Sequence, residues 1–301
     1  MEKRYLSAND FYREKFGEKV IKIALNGGFT CPNRDGSKGV GGCIFCSNAG
    51  SGDFAGNRNK SITEQFYEMK KIMDKKWHSS VYMAYFQAFT NTYAPVDVLR
   101  EKFNEALNIP EVKALSIATR PDCLEDEKIS LIKKLNEKAY TCVELGLQTS
   151  NEETARLINR CFDNACFKSA VERLRGIDVT AHIILGLPGE TKADMLKSVK
   201  FAADCGIKGI KLQLLHVLKG TKLAEMYERK ELKTLTLEEY VDFVVSCIEI
   251  LPKNVVVHRI TGDGKGADLI APLYSKNKKR VLNAINREFI IRNTFQGKNH
   301  K

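Results

Sequence analysis

The stretch "DEKISLIKKLNEKAYTCVELGLQ", residues 126–148, holds two patterns back to back. In its first part, Ile129, Ile132 and Leu135 recur at helical spacing, with charged residues between them. From Tyr140 the chain changes to YTCVELGLQ, a short apolar run of strand length. A helix leading directly into an apolar strand is one unit of a parallel sheet, whose crossovers cover its faces.

Outward from this stretch the same unit recurs. Apolar runs appear at VIKIALN (20–26), SVYMAYFQAF (80–89), VKALSIAT (112–119), VTAHIILGL (179–187) and IKGIKLQLL (207–215). Helical segments such as ITEQFYEMKKIMDKKW and KADMLKSVKFAADCG lie between them, the latter stopping at Gly206. With residues 140–148 these make six strands, which predicts an α/β fold: a partial (β/α)6 barrel over about residues 18–235. Past it come a helix at 237–251, a strand at NVVVHRI (254–260), the glycine-rich turn TGDGKG and a basic helix, KKRVLNAINREFIIRN. These are expected to form a C-terminal extension, residues 236–301, of one domain spanning 1–301.

Composition narrows the class. Of 301 residues, 43% are hydrophobic and 28% charged, an ordinary globular balance. No segment approaches the roughly 18–20 apolar residues of a membrane span, and MEKRYLSANDFYREKFGEK has no apolar signal core. A soluble, cytoplasmic protein with no membrane partner is expected. Nine cysteines without an export signal favour metal binding or chemistry over a disulfide framework. The net charge of +11 gathers at Lys60–Lys76 and at KNKKR (276–280), which suits a polyanion such as RNA or a merely solvated lysine-rich face.

Three of the cysteines share one loop, CPNRDGSKGVGGCIFC (31–46), after the first predicted strand. Cys43 and Cys46 form a C-x-x-C pair, and eleven residues separate Cys31 from Cys43. A structural zinc cage wants a fourth ligand, and none is near: His78 and Cys123 are both distant in sequence. Three thiolates suit a [4Fe–4S] cluster with one iron left open. Gly36, Gly39, Gly41 and Gly42 give the loop the freedom to wrap it.

This loop, with Phe45 before its last cysteine, resembles that of the radical S-adenosylmethionine (SAM) superfamily, although the common spacing there is C-x3-C-x2-C. ATRPDCL, ELGLQT, HIILGLPGET and LHVLKGTKLAEMYE resemble segments of the catalytic subunit of Elongator and, less closely, of oxygen-independent coproporphyrinogen oxidase. The long cysteine gap and the ending HRITGDGKGADLIAPLYSKNKKRVLNAI resemble the short bacterial YtqA/YhcC group, MnmL-type wobble-uridine enzymes, over essentially the whole chain.

The resemblance implies that Cys31, Cys43 and Cys46 hold a [4Fe–4S] cluster, whose open iron binds SAM for reductive cleavage to a 5′-deoxyadenosyl radical. It places Gln87 and Ala88 at the SAM amino group, and Gln148 and Arg160 in further SAM contacts. Phe45 is expected to pack on the adenine, with Gly186 in a turn nearby. Glu144 could take the ribose hydroxyls or form a salt bridge inside the barrel; His182 could touch the cofactor or be a hydrogen-bonded core residue. Elongator-type chains have glutamate where Ala118 stands, so Glu144 or Arg120 is a candidate replacement. Arg120 and Arg259 are candidate clamps for a substrate carboxylate, and His258 and Asp263 are expected near Arg259 over the barrel mouth. The implied substrate is tRNA, at the carbon-5 side chain of a wobble uridine, with carboxymethylaminomethyl trimmed to aminomethyl. Implied partners are a reductant such as flavodoxin or ferredoxin and a tRNA methyltransferase acting downstream. Two alternatives stand beside this: a radical enzyme for a porphyrin-like or other small molecule, and a non-catalytic metal-containing RNA-binding protein.

Overall fold

The computed structural model describes residues 3–50, 52, 54–262 and 266–300. Asp263 lies outside them. The strands are β1 (Val20–Leu25), β2 (Val81–Phe86), β3 (Val112–Thr119), β4 (Tyr140–Gln148), β5 (Asp178–Leu185), β6 (Gly209–Leu214), β7 (Val217–Leu218), β8 (Val256–Arg259) and β9 (Leu269–Ala271). The helices are α1 (Ala8–Phe16), α2 (Ile62–Met73), α3 (Val96–Leu107), α4 (Asp126–Lys138), α5 (Glu152–Leu157), α6 (Asn164–Arg173), α7 (Lys192–Asp204), α8 (Lys222–Glu228), α9 (Leu237–Glu249) and α10 (Lys278–Ile291). No helix among the described residues is long and apolar enough to cross a membrane.

β1 to β6 pair in parallel in chain order and curl into a partial barrel. β8 joins β6 as a seventh parallel strand. The strand expected in the C-terminal extension thus belongs to the same sheet, where it covers the backbone edge that β6 would otherwise leave open. β7 and β9 form a separate antiparallel pair beside it.

Alternation along each strand divides the side chains. One set, including Ile21, Ala84, Leu115, Val143, Ala181 and Leu212, forms the main core with the helices. The other faces the barrel interior and is more polar: Lys22, Tyr85, Ser116, Glu144, His182 and Lys211. At the amino-terminal end, α1 brings Tyr12 against Met83 and Ala114, with Phe16 and Tyr140 packed around them. That aromatic cluster closes one end, so access is from the other.

A smaller core lies at the open end. Ile44, from the cysteine loop, is buried with Ile158, Ile184, Leu187, Leu215 and Leu223. Its amide donates to the Ile158 carbonyl at 3.2 Å, and its carbonyl accepts from the Leu223 amide at 2.9 Å. The apolar residue between two cysteines is therefore the anchor that seats the loop against the body of the fold.

Candidate active site

The carboxyl ends of the strands open into a cleft of about 1550 Å³, its open mouth included. Cys31, Cys43 and Cys46 line one wall, and no cysteine is in a disulfide. Among the described residues no three ligand-type side chains are set around a single ion. The loop is held by side chain to backbone bonds. Asn33 Nδ2 donates to the Asn159 carbonyl and lies 3.5 Å from Cys43 Sγ. Arg34 donates to the carbonyls of Cys46 and Ser47 at 3.1 and 2.6 Å. Gly42, at φ +79°, bends the chain beside Arg34, where a Cβ would stand 3.0 Å from the guanidinium nitrogen.

The floor is built around Glu144, which is 0% exposed. One carboxylate oxygen accepts from Lys22 at 3.0 Å and Ser116 at 2.9 Å. The other accepts from Tyr85 at 3.0 Å, from His182 at 2.8 Å and from Lys211. Burial alone would raise this carboxyl, but Lys211 and Lys22 outweigh it and hold it well below the usual carboxylate range. Burial, aided by Lys211, presses His182 down to about 4. The imidazole is thus neutral at pH 7 and donates its Nε2–H to the ionised Glu144.

A family model described as the Radical SAM superfamily matches residues 29–202, and one for the Radical_SAM C-terminal domain matches residues 207–290. The chain belongs to the radical SAM superfamily. It is 52% identical over 299 residues to the uncharacterized protein YtqA of Bacillus subtilis, covering 99% of this chain and 93% of that one. It is 32% identical over 155 residues to a tRNA uridine(34) acetyltransferase of Methanocaldococcus infernus, half of this chain and 28% of the relative. The solved structure of archaeal Methanocaldococcus infernus Elp3, with an N-terminal deletion, superposes with a TM-score of 0.68 at 19% identity, over 92% of this chain and 64% of that one. At that identity the likeness concerns the fold.

Radical SAM enzymes use a [4Fe–4S] cluster and SAM, and the residues here fit both. The donors are three thiols on one wall. Burial pushes Cys43 up to about 12, with Cys46 adding to the shift, so thiolates grouped here call for a positive centre to hold them. Gln148 supplies the second sign. It takes φ +68°, at a register shift between β4 and β5, and lines the cleft beside Gly146, with its Oε1 buried and without a partner. A buried acceptor left unsatisfied marks a place for a ligand's donor. Phe45 and Gln87 also line the cleft.

Other expected contacts have different surroundings. Glu144 is not turned to ribose hydroxyls: five donors already occupy its oxygens. For the same reason it does not substitute for the glutamate absent at Ala118, which lines the cleft as a small residue. Arg160 lines the cleft but is 1% exposed, with its guanidinium bonded to the carbonyls of Leu147, Thr149 and Phe162 and to Glu152 and Asn164. It pins the turn that follows β4. Ala88 is buried under Gly52, where an added Cβ would stand 2.6 Å away, and is not in the cleft wall, unlike its neighbours Gln87 and Phe89. Gly186, at φ +90°, packs its backbone on Leu235, where a Cβ would come within 2.9 Å.

Arg120 lines the cleft, but two of its nitrogens are paired with Asp122 at 2.9 Å each and its plane lies over Phe162. Arg259 also lines the cleft, through its position next to Lys211 across β6 and β8. His258 does not reach the mouth. At the register shift between β6 and β8 it packs edge to face with Tyr12 at 5.9 Å, toward the closed end of the barrel. Lys211, Tyr85 and His216 line the cleft without having been singled out in the sequence. The signal was available for Lys211: a lysine inside the apolar run IKGIKLQLL needs a buried partner.

Proposed function

We propose that this radical SAM enzyme acts on tRNA in the cytoplasm, trimming the carboxymethylaminomethyl group on carbon 5 of a wobble uridine to aminomethyl. The observation that carries the reading is the makeup of the cleft, whose lining combines three thiols with cationic and hydrogen-bonding groups. The half-chain likeness to a tRNA uridine(34) acetyltransferase and the net charge of +11 support a nucleic-acid substrate. When bound, the cluster and SAM supply a 5′-deoxyadenosyl radical able to take hydrogen from an unactivated C–H bond. In this reading Cys31, Cys43 and Cys46 hold the cluster, Gln87 and Gln148 orient SAM, and Phe45 screens it from water. The methylene beside the substrate carboxylate is the carbon that loses hydrogen. Loss of a second electron, to the oxidised cluster as acceptor, would give an imine. Water would then break its C=N bond to leave the aminomethyl group and release the two carbons as glyoxylate. A small reductant such as flavodoxin or ferredoxin provides the electron, and a tRNA methyltransferase takes the aminomethyl product.

The test is anaerobic incubation of reconstituted protein with SAM, reductant and total tRNA from a strain lacking the gene. Nucleoside mass spectrometry and 5′-deoxyadenosine quantitation read it out. Expected is loss of the carboxymethylaminomethyl-uridine peak, with tRNA-dependent 5′-deoxyadenosine that carries deuterium when the methylene is deuterated. Formation of 5′-deoxyadenosine with every nucleoside unchanged would refute the tRNA assignment and point to a small-molecule substrate. A preparation with one zinc and no SAM turnover would instead fit a metal-containing RNA-binding protein.

A further inference from the structure

One wall of the cleft comes from β6, the residues just after it, and β8. It presents Lys211, Gln213, His216 and Arg259 to the cleft. Register places His182, Lys211 and Arg259 side by side on neighbouring strands. Among the described residues Glu144 is the one carboxylate that lines the cleft, and it is shared by two lysines, Lys22 and Lys211. One negative charge between two ammonium groups leaves a local excess of positive charge.

Lys211 holds that excess in a fixed position. Its Nζ donates to Glu144 and to the Tyr85 hydroxyl at 3.2 Å, while Tyr85 itself donates to Glu144. An ammonium carries three protons, and the third has no acceptor among the described residues. His216, also in the cleft lining, has its Nε2 buried and without a partner, and its ring is pressed by the backbone of Gly262, where a Cβ would overlap it. Burial holds His216 down to about 4, so it offers a neutral imidazole. Burial also lowers Lys211 to about 7 against the pull of Glu144, so a second anion in the cleft would favour its charged form.

We propose that this wall is an anion subsite in which Lys211 binds the substrate's carboxylate. The assignment rests on the reading that the wobble side chain ends in a carboxylate, and it deepens that reading by naming the group that recognises it. Of the two clamps expected from the sequence, Arg120 is committed to Asp122, and Arg259 stands beside Lys211 on the same wall.

The test uses three synthetic anticodon stem-loops that differ only at the wobble base: unmodified uridine, carboxymethylaminomethyl-uridine and its methyl ester. Binding to the cluster-loaded enzyme with SAM, and without reductant, is followed by fluorescence anisotropy. The wild-type protein is expected to bind the carboxylate form about ten- to a hundredfold tighter than the ester, the ratio given by one hydrogen-bonded charge. Lys211→Gln is expected to bind both forms alike, at the ester's affinity, and Lys211→Arg to keep a preference. Should Lys211→Gln fail to fold, Tyr85→Phe, which removes the hydroxyl orienting Nζ, is expected to lower the preference several-fold. A folded Lys211→Gln, or in its place Tyr85→Phe, that keeps the full preference would overturn the subsite while leaving the tRNA reading intact. So would wild-type protein that converts the carboxylate form yet binds it no better than the ester. Wild-type protein that binds all three alike and converts none would overturn both.

Discussion

Glu144→Gln is the substitution that most directly tests the account of the cleft floor. The side chain keeps its shape and loses its charge, and its amide nitrogen must face hydrogens from one of two donor sets. These are Lys22 and Ser116 on one side, and Tyr85, His182 and Lys211 on the other. Lys211, 5% exposed, loses its counter-ion inside the protein, whereas Lys22, 27% exposed, recovers part of its loss from water. Removing one partner of a buried ion pair costs about 3–5 kcal/mol. That is a large share of the roughly 5–15 kcal/mol that keeps a domain folded, yet it leaves a native state to measure. Urea unfolding of the parent, Glu144→Gln, Lys211→Met and the double variant completes a cycle. The expected outcome is a loss of about 3–5 kcal/mol for Glu144→Gln and a double variant less destabilised than the sum by at least about 1.5 kcal/mol. A loss below about 1 kcal/mol, or additivity within about 0.5 kcal/mol, would refute the picture of Glu144 as the hub.

Two further predictions concern the residues behind Gln148. Arg160→Met should lower stability by about 3–5 kcal/mol, because it strips a buried turn of its guanidinium, and Arg160→Lys should restore only part of it. Unchanged urea stability combined with weaker SAM binding in equilibrium dialysis would make Arg160 a cofactor contact instead. Burial raises Glu190 to about 7. Because its folded pKa lies above its unfolded one, its stabilising contribution is present below about pH 4.5 and is lost as pH rises through 7. Glu190→Gln should therefore gain on the order of 2 kcal/mol over the parent at pH 8, at about 1.4 kcal/mol per pKa unit less a discount for partial exposure, and little at pH 5. Equal differences at the two pH values in urea titrations would contradict this.

Much of the frame was legible in the sequence. α4 and β4 run over the segments 126–138 and 140–148 that periodicity marked. The apolar run at 80–89 outlasts its strand: β2 ends at Phe86, and Phe89, at φ +58°, lies in the cleft wall. The cysteine loop was visible as three thiols among glycines, because spacing and residue type are local properties. The role of Ile44 as its anchor was not, since Ile158, Leu187 and Leu223 come from three separate parts of the chain.

Glu144 shows where sequence stops. Its place on an inward face followed from the period of two along one strand. Whether it meets a ligand or other side chains depends on the register of its neighbours: Ser116 one strand away, His182 on the next, and Lys22, Tyr85 and Lys211 across the curled interior. The sequence by itself determined the alternating elements and the three thiols, because both are written in short-range pattern. Only the tertiary structure decided that the barrel floor is a neutralised carboxylate with a lysine left over, because a charge is satisfied by whatever stands within a few ångströms in space, however far away along the chain.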